Sequence, residues 1–149
     1  MSDSLRLAVI VSHFNRAVTE NLLSGARSGC EELGVPLADD NIYSVPGAFE
    51  LPIAANEAAA CGRFDGVVCL GAVIRGETPH FDYVCDRAAA GILRVSLDTG
   101  VPVSFSVLTT DNIEQALARA GGDVGNKGYE GVVGMVQTIN ELRRIRQGG

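Results

Sequence analysis

Gly66 to Ile74 read GVVCLGAVI, a run without a charge that is bounded by Asp65 on one side and Arg75 on the other. A half-exposed strand alternates apolar and polar residues, whereas a run that is apolar throughout and rich in valine suits a strand covered on both faces. Strands of that kind belong to parallel sheets held between two helix layers, so this stretch predicts an α/β architecture. Its downstream neighbours agree. A helix is expected from about Pro79 to Asp98, and the apolar run Pro102 to Leu108 supplies the next strand.

The alternation extends upstream as well. Asn41 to Val45 reads as a strand followed by an alanine-rich helix from about Glu50 to Cys61. Before it, Arg6 to Ser12 (RLAVIVS) is a β-branched strand, and Val18, Leu22, Ala26, Cys30 and Leu33 keep helical spacing over a helix from about Arg16 to Leu33. Gly34 closes that helix. Thr78 and Pro79 read as the N-cap and first residue of the third helix. Asp111, with Glu114 three residues later, reads as an Asp-type capping box for a short helix ending near Ala120. Gly121 to Gly128 is a glycine-rich break, after which a last helix runs to about Arg146.

Strands and helices in alternation, joined by right-handed crossovers, predict one domain over residues 1–149. Its expected form is a three-layer α/β/α sandwich around a four-stranded parallel sheet, doubly wound. There is no internal repeat, low-complexity segment or linker. Such a sheet is small, and the last two helices have no later strand to cover, so a subunit interface is the expected use of the surplus surface.

With 149 residues, 46% hydrophobic and 20% charged, the chain has the composition of a globular domain. At this size folding buries about 70% of the unfolded surface, enough for a core without disulfides or metal. The net charge of −6 repels phosphate backbones and anionic membranes, which argues against nucleic-acid binding as the main role. Any anionic ligand must be caught by a local device. Met1 to Leu7 carries Asp3 and no signal-like apolar stretch, and no window approaches the roughly 18 apolar residues of a membrane span. A cytoplasmic protein without a membrane partner is expected. Cys30, Cys61, Cys69 and Cys85 form no C-x-x-C pair, and His13 and His80 alone could join them on a metal. They read as buried or half-buried free thiols, and no metal site is expected.

In open α/β sheets ligands bind outside the carboxyl ends of the strands, which directs attention to four loops. These are Ser12 to Asn15, Pro46 to Glu50, Arg75 to His80 and Thr109 to Asn112. Phe14 and Phe49 would lie at this edge, where they either staple their own loops or stack on a planar heterocycle. Glu50 either complements a helix dipole or accepts hydrogen bonds from ligand hydroxyls. Glu77 and Thr78 open a helix after a glycine, so their backbone N–H groups suit a phosphate. Arg119 and Lys127 read as solvated helix-end cations or as additional anion ligands. His80 falls beside the proposed anion site, and imidazole is the side chain best suited to proton transfer near neutral pH. A helix N-terminus disfavours imidazolium and a bound phosphate favours it, so the sign of its shift stays open.

Several motifs are absent: no G-x-G-x-x-G, no Walker A pattern, no G-x-S-x-G elbow and no H-E-x-x-H. The residues thus describe a small α/β protein that binds a phosphate-bearing ligand and a planar ring, with histidine-assisted proton transfer. They do not name the reaction.

The loops, however, closely resemble those of the lumazine synthase family. The carrying motifs are Phe14-Asn15, VPGAFELP from Val45 to Pro52, GAVIRGETPHFDYV from Gly71 to Val84, VLTTDNIEQALARAGG from Val107 to Gly122, and GNKG from Gly125 to Gly128. The resemblance spans nearly the whole chain. It implies a flavodoxin-like fold and a transferase of riboflavin biosynthesis with no cofactor. The implied reaction condenses 5-amino-6-(D-ribitylamino)uracil with 3,4-dihydroxy-2-butanone 4-phosphate to 6,7-dimethyl-8-ribityllumazine, releasing phosphate and water.

By the same resemblance Phe14 stacks on the pyrimidine, and Ala48, Phe49 and Glu50 hold the aminouracil and its ribityl chain. Ala72, Val73 and Ile74 line that pocket, Phe105 enters from a neighbouring subunit, and Lys127 lies toward the ribityl side. Glu77, Thr78 and Arg119 bind the phosphate, and His80 moves protons. Family members form pentamers or icosahedral shells of twelve pentamers, with active sites between adjacent subunits, and riboflavin synthase is an implied partner. The competing readings are a flavin- or lumazine-binding module and a shell-forming paralogue without catalysis. The first has little need of His80 beside a phosphate turn, and the second could lose Arg119 or His80.

Overall fold

Leu7–Ser12 (β1), Ile42–Val45 (β2), Gly66–Ile74 (β3) and Val103–Thr110 (β4) form an all-parallel sheet in the order β2-β1-β3-β4. The computed structural model describes residues 4–148; residues 1–3, part of the N-terminal stretch read above for a leader, and residue 149 lie outside it. Arg16–Leu33 (α1) and Lys127–Arg146 (α5) cover one face of the sheet. Leu51–Ala60 (α2) and His80–Thr99 (α3) cover the other. This is the expected three-layer α/β/α sandwich.

The apolar runs make sense because both sheet faces are interior. Leu7 and Val9 of β1 join the core under α1 and α5, while Ala8 and Ile10 join the core under α2 and α3. On β3, Val68, Leu70 and Ala72 point one way and Val67 and Cys69 the other. With a side-chain period of two and a core on each side, no position in the middle of these strands is left for a polar residue. Gly34 adopts φ 70° and its N–H meets the carbonyls of Cys30 and Glu31, which ends α1 where expected.

Four local expectations are corrected. Strand β4 runs to Thr110 rather than Leu108, because pairing of Thr109 with Val73 and Thr110 with Ile74 carries the ladder through two polar residues. The N-cap of α3 is Pro79, not Thr78, and His80 is its first residue; the Thr78 hydroxyl accepts only a 3.4 Å bond from the His80 N–H. Asn112, not Asp111, caps the short helix Ile113–Ala118 (α4): its Oδ1 accepts from the Gln115 N–H at 2.8 Å. The Asp111 carboxylate is engaged by Arg75 at 2.9 Å instead. The glycine-rich break is a small hairpin of Ala120–Gly122 (β5) and Gly125–Asn126 (β6), turned through Gly121 and Gly125 at φ of 100° and 101°. Asn126 caps α5, accepting from the Gly128 and Tyr129 N–H groups at 2.9 and 3.1 Å.

Cys30 and Cys69 are buried and Cys85 is half-buried, whereas Cys61 is exposed at the end of α2, against expectation. Among the described residues no helix is long and apolar enough to cross a membrane.

Candidate active site

In this strand order the chain winds one way from β1 to β2 and the other way from β3 to β4, so the topological switch lies between β1 and β3. The loops leaving those strands diverge there and open a crevice. Three hydrogen bonds set its mouth. The N–H groups of His13 and Phe14 donate to the carbonyls of Val45 and Pro46 at 2.9 Å, binding the first loop to the second. The Asn15 side chain donates to the Ala72 carbonyl at 2.9 Å, binding the first loop to β3. Asn15 itself sits at φ 64°, the one non-glycine in the left-handed region among the described residues, a conformation asparagine tolerates better than most.

This rigid backbone holds its aromatic rings outward. Phe14 is 71% exposed and Phe49 61%, so neither ring staples its own loop. Both line a cavity of about 550 Å³, within the range of small-molecule sites. Ala48, Glu50, Ala72, Val73, Ile74, Thr78 and His80 complete the part of the lining that the sequence singled out. Glu50 uses one carboxylate oxygen to accept from the Gly47 N–H at 2.8 Å, closing the single helical turn Ala48–Glu50 ahead of α2. Its role as a cap is real, and its second oxygen makes no hydrogen bond among the described residues.

At the other end of the cavity, the turn from Arg75 to His80 is exposed throughout. The backbone N–H groups of Gly76, Glu77 and Thr78 donate to no protein group among the described residues. Together with the start of α3 they form a donor-rich corner suited to an anion. His80 stands beside it with its side chain exposed.

Three of the predicted residues lie elsewhere. Arg119 and Lys127 line a separate hollow of about 320 Å³ along β4, near Thr109, Thr110 and Glu130. The Lys127 N–H donates to the Arg119 carbonyl at 2.9 Å, which keeps the two cations on one hairpin. Phe105, half-buried on β4, borders with Lys127 a further hollow of about 400 Å³ between β4 and α5. Glu77 offers its backbone at the turn but its side chain is not part of the cavity wall.

Sequence reasoning gives no role to Asn15, Phe81, Tyr83 or Val84, all of which border the cavity. Tyr83 and Val84 follow His80 by three and four positions, the spacing of one helix face, so periodicity would have found them. Arg75 is equally silent in the sequence. Its guanidinium lies 4.4 Å over the Phe81 ring, 2.9 Å from Asp111 and 3.5 Å from Asp82. The hydrogen bond to Asp111, and then the charges of Asp82 and Asp111, hold its pKa above the usual arginine value.

Over residues 4–143 the chain matches the model of the family described as 6,7-dimethyl-8-ribityllumazine synthase.

Proposed function

Because the chain belongs to the 6,7-dimethyl-8-ribityllumazine synthase family, we propose that it condenses 5-amino-6-(D-ribitylamino)uracil with 3,4-dihydroxy-2-butanone 4-phosphate. The observation that carries this reading is one cavity in which two outward-held phenylalanines share a wall with a donor-rich turn and a histidine. A flat heterocycle and a phosphate ester are the ligand chemistries those two ends fit.

In this reading the aminouracil stacks on Phe14, lies along Ala72, Val73 and Ile74, and contacts Ala48 and Phe49. The free oxygen of Glu50 accepts from the ribityl hydroxyls. The phosphate of the second substrate rests on the N–H groups of Glu77 and Thr78. The 5-amino nitrogen attacks the ketone and loses water to give an imine. Phosphate then departs by elimination, and the ribitylamino nitrogen closes the ring with loss of a second water. His80, beside the phosphate corner, moves protons during these steps. Arg119, Lys127 and Phe105, which line other hollows in their own chain, act at the cavity of an adjacent subunit. A homo-oligomer, as a pentamer or a shell of pentamers, is therefore the active form.

The test mixes purified protein with both substrates and follows lumazine fluorescence and released phosphate against a protein-free control. Matched rises well above the control are expected. A folded protein that binds the aminouracil or a flavin and yields neither signal would make it a binding or shell protein instead. The shared site has its own test. Inactive Phe105→Ala and His80→Ala chains, mixed and reassembled, should recover part of the activity, and no recovery despite proven subunit exchange would refute sharing.

A further inference from the structure

The turn from Arg75 to His80 carries the N–H groups, Thr78 and His80, yet every residue in it is exposed and little in its own backbone holds it. Its order has to come from its two ends. At the entrance the Arg75 N–H donates to the Thr110 carbonyl at 2.8 Å, continuing the ladder between β3 and β4. At the exit Phe81 is buried and lines the cavity next to His80.

One side chain joins these ends. The Arg75 guanidinium stacks on Phe81 at 4.4 Å, donates through Nε to Asp111 Oδ1 at 2.9 Å, and lies 3.5 Å from Asp82 Oδ1. Phe81 and Asp82 immediately follow His80 in α3, while Asp111 belongs to the loop after β4. Arginine suits such a junction because its planar fork and its face are used at once, which a lysine ammonium cannot reproduce.

Resting on the synthase reading above, we infer that Arg75 is a positioning residue that orients His80 and the phosphate turn, and is not itself an anion ligand. The local charge supports the second half of that statement. Asp82 and Asp111 together place two negative charges against the single positive charge of Arg75, so an incoming phosphate meets net repulsion at this side chain. Each pair is exposed and contributes little to overall stability, so the effect of the junction falls on geometry rather than on folding.

The experiment compares Arg75→Ala, Arg75→Lys and Asp111→Asn with the parent chain in steady-state kinetics and hydrogen exchange. A displaced catalytic turn costs about tenfold or more in kcat. Arg75→Ala should show that loss with the aminouracil KM and thermal midpoint unchanged, Arg75→Lys should fail to rescue it, and Asp111→Asn should move kcat the same way. An anion-ligand role predicts the opposite sign for Asp111→Asn, since freeing Arg75 would lower the KM for the butanone phosphate. That result would overturn the proposal. Hydrogen exchange reads the junction without substrate: the amides of Asp82, Tyr83 and Val84 should exchange about tenfold faster in Arg75→Ala while those of α5 do not change. Unchanged exchange at all three overturns the proposal. Parent protein that makes no lumazine overturns the synthase reading alone, because exchange still decides the junction. Should Arg75→Ala not fold, Asp111→Asn keeps the arginine and tests the same tie.

Discussion

The cavity between β1 and β3 and the hollows beside β4 lie at the same sheet but are finished to different degrees within one chain. The first has walls from three loops, tied together by the bonds of His13, Phe14 and Asn15 at 2.9 Å, and two phenylalanines that face outward. The second lies along an edge strand, under a hairpin that depends on glycines, and it holds the cations Arg119 and Lys127. The first cavity suits a planar ring, but no lysine or arginine among the described residues lines it, and Arg75, at the start of the turn beside it, is already claimed by two carboxylates. In a chain of net charge −6, the cations Arg119 and Lys127 thus line one region and the exposed aromatic rings another. In the proposed reaction the cations would reach the phosphate corner of the first cavity from the edge region of an adjacent subunit.

The strongest way to break this comparison acts on the finished cavity. General acid-base help contributes about 10²- to 10⁴-fold, while holding two reactants in register supplies roughly 7 to 11 kcal/mol. His80→Ala should therefore slow turnover by about that 10²- to 10⁴-fold, with aminouracil binding retained in a titration. A variant as inert as one lacking the whole cavity would mean that His80 also builds the site.

The next largest effect falls on the other region and on stability. Gly128 sits where the first turn of α5 meets α1: a Cβ there would fall on the Leu22 carbonyl and 3.1 Å from Asn126 Oδ1. Backbone does not give way as a flexible side chain does, so Gly128→Ala should cost about 3 kcal/mol of unfolding free energy in denaturant titration. Aminouracil binding to the native fraction should persist, because none of the residues lining the aromatic cavity belongs to α1 or α5 apart from the loop that precedes α1. Equal loss of binding would join the two regions into one unit.

Much of this architecture is legible in the amino-acid sequence. GVVCLGAVI announces burial on both faces, and the helical spacing of Val18, Leu22, Ala26 and Cys30 places α1 over about Arg16 to Leu33, its end marked by glycine at position 34, the residue type that closes it cheaply. Two of the misreadings share one cause, which is a partner distant in sequence. Asp111 resembles a cap because Glu114 is near it, whereas Arg75, 36 positions away, takes its carboxylate. The end of β4 reads as polar loop because its ladder partner on β3 is invisible from local sequence. For the site, the rule that ligands bind at the carboxyl edge selects three loops that line the aromatic cavity and a fourth that does not, and it says nothing about position along that edge. Phe14, Phe49 and His80 fall together, while Arg119 and Lys127 do not.

That separation is sharpened by Arg119→Ala. A lost hydrogen bond to a charged group is worth about 1.5 to 3 kcal/mol, or roughly 10- to 150-fold. The KM for the butanone phosphate should rise by about that factor with the aminouracil KM nearly constant. Equal losses for both substrates would contradict a division between ring and phosphate regions.

The smallest effect, counted per unit of pH, uses a residue buried in the sheet. Cys69 of β3 stands opposite Phe105 of β4 in the ladder, and burial disfavours its thiolate, pushing the pKa up to about 12. The folded value lies above the ordinary thiol value of 9.0, so the neutral thiol stabilises the fold fully below pH of about 9. Above that, unfolding releases a thiol that ionises, and each further unit of pH removes about 1.4 kcal/mol until the folded group itself titrates. Near pH 8, iodoacetamide should modify exposed Cys61 rapidly and half-buried Cys85 slowly, with Cys30 and Cys69 reacting only on unfolding. Mass spectrometry of the labelled peptides reads each site. If Cys69 reacts in chains that still bind aminouracil, β4 parts from β3 while the cavity stays formed, and the edge region is a separately opening unit. If Cys69 and binding are lost together, the sheet is one cooperative floor, and the difference between the two regions lies in the loops and the hairpin above it.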